Sequence, residues 1–366
     1  VDVTINRENL LPILNRVIAV VERRQTLPIL GNILLRSEEG LLTIVGTDME
    51  LEIRARCNAD ISESGDGTVP ARKFGDICRS FIEGSDIRVK LTNDRCILTS
   101  GRGRYVLGIL PSKDFPSIDE IKPDIEINIE EGLLKRIFEK TSFAMAQQDV
   151  RYYLNGLLFE IETRYLNAVA TDGHRLACFH HTIDTGSQSK RSFIIPYKTV
   201  NELRRQLGYG SNNVKIEISD RQIRFTVSET VSSSKLVDGR YPEYQRVIPS
   251  SLKRTAKVNR ESLRKALARA AILSNEKYRG LKVTFEKGVI RLVAQNPEQE
   301  EAIEEMELEY DGETTIIGFN VSYLTDLLNA IDATDVEVQF EDGNNSSLWR
   351  GVGATDETYV VMPMRL

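Results

Sequence analysis

The chain is poor in the residues on which most enzyme chemistry depends. Its 366 residues include three histidines and four cysteines. Cys57, Cys78, Cys96 and Cys178 form no CxxC pair and no zinc-ligand spacing. They read as free thiols of a reducing compartment, with neither disulfides nor a structural metal expected. His174, His180 and His181 make no HExxH pattern, and no P-loop is present. The glycine-rich "GRGRYVLG" lacks the preceding strand and following helix that a nucleotide loop needs. No apolar run approaches the ~18 residues of a membrane span. The opening "VDVTINRENL" lacks the apolar core of a secretory signal. A cytoplasmic protein without cofactor or metal is the expectation. The formal net charge of −6 argues at first against a polyanionic partner, but net charge does not say where charges sit.

What the chain does have is internal repetition. "LPILGNILL", "YYLNGLLFE" and "KYRGLKVTF" align so that Asn32, Gly156 and Gly280 fall 124 residues apart. The same shift carries "GTDMELEI" to "ATDGHRLA" and then to "AQNPEQEE". Two further registers follow: "VPARKF", "IPYKTV" and "FNVSYL", then the alternating "IRVKL", "VKIEI" and "VEVQF". Each unit reads as α+β, with two helices on antiparallel strands that have one solvated face. The first helix of repeat one places Leu10, Leu14, Val17 and Val21 along one face, with Asn6 as N-cap. Its counterparts are "GLLKRIFEKTSFAM" and "ESLRKALARAAIL", the latter capped by Asn259. The second helices are "RKFGDICRSFI", "KTVNELRRQL" and "VSYLTDLLNAI". Boundaries fall in proline- and charge-rich stretches, giving three tandem domains over 1–122, 123–250 and 251–366.

Charge is distributed unevenly. The six helical segments together carry +8, so strands and loops hold the acidic excess. Basic helices recurring over three repeats suit a surface that neutralises phosphates without reading sequence. A plain scaffold would keep the repeats but give no reason for this bias. A second asymmetry runs along the chain. "EQEEAIEEMELE" (298–309) holds seven glutamates, while Lys73, Arg95, Arg102 and Arg104 surround the apolar Tyr105, Leu107 and Ile109. Complementary ends suit head-to-tail association, which closes into a ring when the rotation allows.

"ATDGHRLA" (170–177) raises the rival reading of a metal-dependent nuclease or hydrolase using Asp172 and His174. Thr47–Asp48 holds the same register in repeat one. The Thr–Asp pair is therefore better explained as a recurring turn than as catalytic machinery.

With these motifs in view, the sequence resembles the bacterial replicative sliding clamps, the DNA polymerase III beta subunits. The resemblance runs end to end, through "TLPILGN", "GTDMELE", "VPARKFGDICR", "QQDVRYYLNG", "ATDGHRLA", "SKLVDGRYPEYQRVIP", "RAAILSNEKYRG", "NPEQEEA", "FNVSYL" and "YVVMPMRL". It implies three α+β domains forming half of a closed ring, with helices inside and sheets outside. Such a protein is a non-catalytic processivity factor that encircles duplex DNA and tethers polymerases, the clamp loader and repair proteins by short peptides. DNA contacts would fall on Arg24, Gln148, Tyr152, Tyr153, Lys198 and Arg205, with Tyr197 replacing a residue often basic in relatives. One end of a homodimer interface would use Lys73, Arg95, Arg102, Arg104, Tyr105 and Leu107. The other would use Ile272, Leu273, Glu298, Glu300, Glu301 and Glu304. A partner-peptide pocket would take Leu154, Thr171, Gly173, His174, Arg175 and Leu176 from repeat two. Pro242, Arg246, Val247, Tyr278, Asn320, Tyr323, Val360, Met362, Pro363, Met364 and Arg365 would complete it. Tyr278 and Asn344 depart from a more apolar family pattern.

Overall fold

The computed structural model describes residues 1–23 and 27–365. Six α-helices are described, two per repeat: α1 (Arg7–Ile18), α2 (Ala71–Ser80), α3 (Glu131–Thr141), α4 (Tyr197–Gln206), α5 (Arg260–Ala271) and α6 (Val321–Ala330). Local chemistry sets their starts. The Asn6 side chain accepts the Glu8 N–H at the head of α1, and Asn259 accepts the Ser262 N–H at the head of α5. Leu10, Ile13, Leu14 and Val17 form the buried stripe of α1. Leu263, Ala266, Leu267 and Ala270 do the same for α5. The helical pattern of "GLLKRIFEKTSFAM" runs further than the helix. The α-helix stops at Thr141, whose Oγ1 donates to the Ile137 carbonyl at 2.7 Å, and a 3-10 turn, Ser142–Ala144, follows.

The chain divides into two compact units, residues 1–135 with 201–236, and residues 136–200 with 237–366. The first unit holds two antiparallel sheets. Its five-stranded sheet runs Asp60–Glu63, Asp2–Asn6, Asp86–Leu91, Arg95–Ser100, Gly103–Gly108. Its eight-stranded sheet runs Ile125–Glu130, Asn213–Ile218, Gln222–Val227, Thr230–Lys235, Leu51–Asn58, Leu41–Thr47, Asn32–Glu38, Gly65–Pro70. Leu10, Leu14 and Val17 of α1 share a continuous core with Ile44, Ile53 and Val69 of that sheet. The second unit repeats the plan. Its eight-stranded sheet runs Arg191–Pro196, Gly156–Glu162, Tyr165–Thr171, Arg175–Thr182, Glu357–Val361, Ser347–Gly351, Asp335–Phe340, Arg254–Asn259. Its four-stranded sheet runs Glu301–Glu307, Val289–Gln295, Gly280–Glu286, Thr315–Asn320. Phe285 and Phe340, with ring centroids 4.3 Å apart, are part of its core.

Each eight-stranded sheet is a fusion of two repeats. In the first, Thr230–Lys235 of repeat two pairs with Leu51–Asn58 of repeat one, with Ser234 opposite Leu51. In the second, Glu357–Val361 of repeat three pairs with Arg175–Thr182 of repeat two, with Val361 opposite Arg175. The same two strand positions therefore meet at both junctions. Two copies of those positions stay at sheet edges: Gly103–Gly108 of repeat one and Glu301–Glu307 of repeat three.

Candidate peptide cleft and edge strands

The stretch singled out in the sequence folds as a turn closed by its own side chains. Asp172 Oδ1 accepts the backbone N–H groups of His174 (2.9 Å) and Arg175 (3.0 Å). Thr171 Oγ1 accepts the Gly173 N–H at 3.1 Å and donates to the Arg175 carbonyl at 2.6 Å. Repeat one builds the same turn. Asp48 Oδ1 accepts Glu50 and Leu51 N–H groups at 2.9 and 2.8 Å, and Thr47 Oγ1 donates to the Leu51 carbonyl at 3.0 Å. Thr–Asp is thus turn chemistry, and the Asp172 carboxylate is committed to it.

Arg175 fixes the turn to its surroundings. Its guanidinium donates to Asp172 (3.1 Å), to Asp326 on α6 (2.5 Å) and to the Phe143 carbonyl (2.7 Å). The same group lies 4.5 Å from the centroid of the Tyr323 ring, also on α6. His174 is left facing outward and stacks against Tyr323, with ring centroids 6.3 Å apart. Its carbonyl accepts the Met362 N–H at 2.9 Å, and the Met364 N–H donates to the Gly318 carbonyl at 2.7 Å. These bonds lay the segment 362–364 beside the turn. The result is a cleft of about 390 Å³ lined by His174, Lys277, Tyr278, Asn320, Tyr323, Met362, Pro363 and Met364. Burial raises the Tyr323 phenol above its ordinary value, so it is neutral at physiological pH. Aromatic and thioether walls interleaved with polar groups from His174, Lys277 and Asn320 suit a peptide, because Met adapts its shape to the guest while the polar groups orient it.

The residues expected in one pocket sort into several groups. Seven of them, His174, Tyr278, Asn320, Tyr323, Met362, Pro363 and Met364, line the cleft together. Asn320 has a second task as the cap of α6, its side chain accepting the Ser322 and Tyr323 N–H groups. Thr171, Gly173 and Arg175 act through the turn. Leu154, Leu176 and Val360 are instead buried in a separate apolar cluster with Tyr241 and Tyr244. Pro242, Arg246 and Val247 are exposed on the segment carrying those tyrosines, and Arg246 pairs with Glu243 at 2.6 Å. Arg365 lines a neighbouring groove. Lys277 was not anticipated, since a lone exposed lysine carries no sequence signal. Asn344 sits in a turn where Asp342 Oδ1 accepts its N–H, and it lines neither cleft.

Of the expected DNA contacts, Arg24 lies outside the described residues. Gln148 takes a left-handed backbone conformation (φ 56°) beside a loop stiffened by Arg151. That guanidinium grips Asp149 at 2.8 Å and, with its backbone N–H, holds the Asp149 carboxyl down at about 2. Tyr152 and Tyr153 follow on a 3-10 turn with their rings edge to face, and Tyr152 is exposed. Lys198 and Arg205 are seven residues apart on α4, hence on one helix face. Arg205 pairs with Glu202 at 2.8 Å. Tyr197, the first residue of α4, accepts a hydrogen bond from Gln147 at 2.7 Å.

The expected interface residues gather around two of the sheet edges, Gly103–Gly108 and Glu301–Glu307. Tyr105 and Leu107 lie on Gly103–Gly108, where Val106 is also exposed. Arg95 is on the adjacent strand, Arg102 in the connecting turn and Lys73 on α2. At the other edge Glu301 and Glu304 lie on Glu301–Glu307, with Glu298 and Glu300 just before it. Ile272 and Leu273 follow α5, and Ile272 is 77% exposed. Glu304 is not free to act as a bare charge, because Arg269 of α5 grips it at 2.6 Å. Ile82 and Ile303, 81% and 57% exposed, join this apolar set and were not anticipated. Ile303 was hidden in the sequence by the glutamates around it.

Comparison with known proteins agrees along the whole chain. Models of the DNA polymerase III beta subunit match its N-terminal domain at residues 1–119, its central domain at 128–243 and its C-terminal domain at 245–365. The beta sliding clamp of Pseudomonas putida is 44% identical over 364 residues, covering 99% of each chain. That of Escherichia coli (strain K12) is 45% identical over 364 residues, again covering 99% of each. A crystal structure of the Pseudomonas aeruginosa DNA polymerase III subunit beta superposes with a TM-score of 0.96 at 44% identity, covering all of both chains. Another from that organism, bound to griselimycin, gives 0.96 at 45% identity, covering all of this chain and 99% of that one. The chain belongs to the DNA polymerase III beta subunit family, the bacterial beta sliding clamps.

Proposed function

We propose that two copies of this chain join head to tail into a ring that encloses duplex DNA in the cytoplasm. It serves as the non-catalytic processivity subunit of a replicative polymerase. The observation carrying this reading is the pair of unpaired edges. At both internal junctions the last strand of one repeat pairs with the same strand position of the repeat before it. Gly103–Gly108 and Glu301–Glu307 are the two copies of those positions left without a partner. A second chain supplies the missing partner at each, and closure pairs these two edges.

The internal register carries over to this contact. Ser234 lies opposite Leu51, and the hairpin and strand equivalences put Leu107 opposite Glu300. Arg104 then falls opposite Ile303, with Glu301 and Glu305 as its diagonal neighbours on one face, where opposite charges attract. Tyr105, Val106 and Ile82 at one edge meet Ile272, Leu273 and Ile303 at the other. The domains divide at 1–122, 123–250 and 251–366.

Inside such a ring DNA is held by enclosure, so contacts need only steer the phosphate backbone. Arg24, Lys198 and Arg205 supply positive charge, and Gln148, Tyr152 and Tyr153 meet backbone or exposed bases. The cleft around His174, Tyr323 and Met362–Met364 takes short linear peptides of polymerases, the clamp loader and repair proteins.

A retention assay tests this reading. With a clamp loader present, the protein should stay on circular DNA through gel filtration and leave once the circle is cut. Equal retention on cut and uncut DNA rejects enclosure. In sedimentation the chain should be a dimer, and Ile272→Asp should yield monomers.

A further inference from the structure

The cleft is shared between two repeats. His174 comes from repeat two, whereas Asn320 and Tyr323 stand at the start of α6 in repeat three. The way α6 lies against repeat two therefore sets the spacing of the walls. Arg175 ties the near part of α6, through Asp326 and the Tyr323 ring. One tie alone would let the helix pivot about it. The far end of α6 carries a second.

That tie is Lys140 of α3, a lysine whose side chain is only 3% exposed. An ammonium has three N–H donors, and burying it is costly unless each is taken. Three acceptors surround it, and all belong to repeat three. Lys140 Nζ donates to the carbonyl of Ala330, the last residue of α6. It pairs with Asp332 Oδ2 at 2.8 Å and with Glu357 Oε2 at 2.9 Å. The Glu357 carboxylate is as buried as the lysine, 2% exposed. The end of a helix leaves carbonyls without an intrahelical partner, and a cation is favoured there. Arg136, one turn earlier on α3, adds a looser pair with Asp356 at 3.4 Å. Tyr323 and Ala330 lie about 10 Å apart along the helix axis, so the two ties hold different ends of α6.

The junction of repeats one and two is built at the same positions without this ion cluster. Arg16 stands 124 residues before Lys140. Thr230 pairs with Ala55 as Glu357 pairs with Phe179, so it holds the place of Glu357. Arg16 donates to the Thr230 hydroxyl at 3.0 Å, and Gln206 at the end of α4 donates to the Arg16 carbonyl at 3.4 Å. Gly208 stands where repeat three has Asp332. Neutral groups suffice at that junction. The buried charges occur at the junction that also forms the cleft.

We infer that Lys140 is a positioning residue of the cleft, an inference that rests on reading the cleft as a peptide site. By holding the end of α6 to repeat two, Lys140 keeps the Tyr323 ring stacked near His174, at 6.3 Å between centroids and 21° between planes. Lys140 touches no peptide. It acts through α6.

The test separates this role from plain stability. Lys140→Met leaves Glu357 buried without its cation and should lower the melting temperature. Adding Glu357→Gln removes that charge and should recover most of the loss. The double variant should still lack the tie, so two readouts should stay changed. One is the ring signals of 13C-labelled His174, assigned by His174→Gln among only three histidines. The other is affinity for a fluorescein-labelled Gly-Leu-Ser-Leu-Phe peptide in fluorescence polarisation, expected to fall about tenfold. Arg16→Met, the counterpart change, should alter neither. If the stable double variant shows wild-type His174 signals and wild-type affinity, Lys140 only balances a buried charge and the inference is overturned. Equal effects from Arg16→Met overturn it as well. A wild-type chain that does not bind the peptide rejects the cleft reading instead, and the His174 signals still decide whether Lys140 places α6.

Discussion

The turns Thr47–Leu51 and Thr171–Arg175 are one backbone device in two settings. Both close with a threonine hydroxyl and an aspartate that caps two N–H groups. They diverge at the position that starts the next strand. Leu51 is buried in the core, 1% exposed, and owes its place to apolar burial. Arg175 at the same register is held by two carboxylates, a carbonyl and an aromatic face. A turn anchored by a leucine is part of the core alone. A turn anchored by an arginine to α6 presents the neighbouring histidine to a cleft. The shared residues make the shape, and the residues that differ decide whether it becomes a binding wall.

The sharpest way to break this comparison is to remove both anchors in turn. Leu51→Ala should cost about 3 kcal/mol, the transfer term plus a cavity, read by urea denaturation. It should leave peptide affinity at the His174 cleft untouched. Arg175→Ala should cost less, about 2 kcal/mol, because its partners are hydrogen-bonded rather than packed and Asp326 is part-exposed. Its effect on function should be larger, with peptide affinity falling roughly tenfold as the turn loses its tie to α6. Arg175→Lys should not restore it, since one ammonium cannot serve three partners in a planar fork. If Leu51→Ala weakens peptide binding as much as Arg175→Ala does, the two turns are not functionally distinct.

The sequence made much of this legible, for identifiable reasons. The repeats and helices follow from period and capping, as with Asn6, Asn259 and the buried stripe Leu10, Leu14, Val17. The turn was readable because its chemistry is local, with partners two to four residues away. The two anchoring modes were not, because Asp326 and Phe143 lie 151 and 32 residues from Arg175. Leu154, Leu176 and Val360 joined the expected pocket through the resemblance alone, and their burial in one cluster with Tyr241 and Tyr244 is a long-range property that no local pattern carries. Ile303 shows the same limit, being apolar and exposed inside an acidic run because its strand lies at a sheet edge.

The smallest expected effect separates the turns at their middle residue. Gly173 takes φ +88°, and a Cβ there would lie 3.1 Å from the Arg151 guanidinium. Met49 holds the matching place in repeat one with φ 76°, a conformation that costs an L-residue about 1–2 kcal/mol. Met49→Gly should therefore relieve strain, but glycine's greater freedom in the unfolded chain offsets part of it. A net gain of about 0.5 kcal/mol is expected. Gly173→Ala should lose about 1 kcal/mol from backbone strain and displace Arg151 from Asp149. Paired denaturation curves of the two variants check the signs. Opposite signs mean that the same left-handed turn is tolerated in repeat one and relieved by glycine in repeat two, beside the cleft. Two losses of equal size would mean that Met49 contributes packing that outweighs its strain, and the repeat-one turn would then be no relaxed reference for the other.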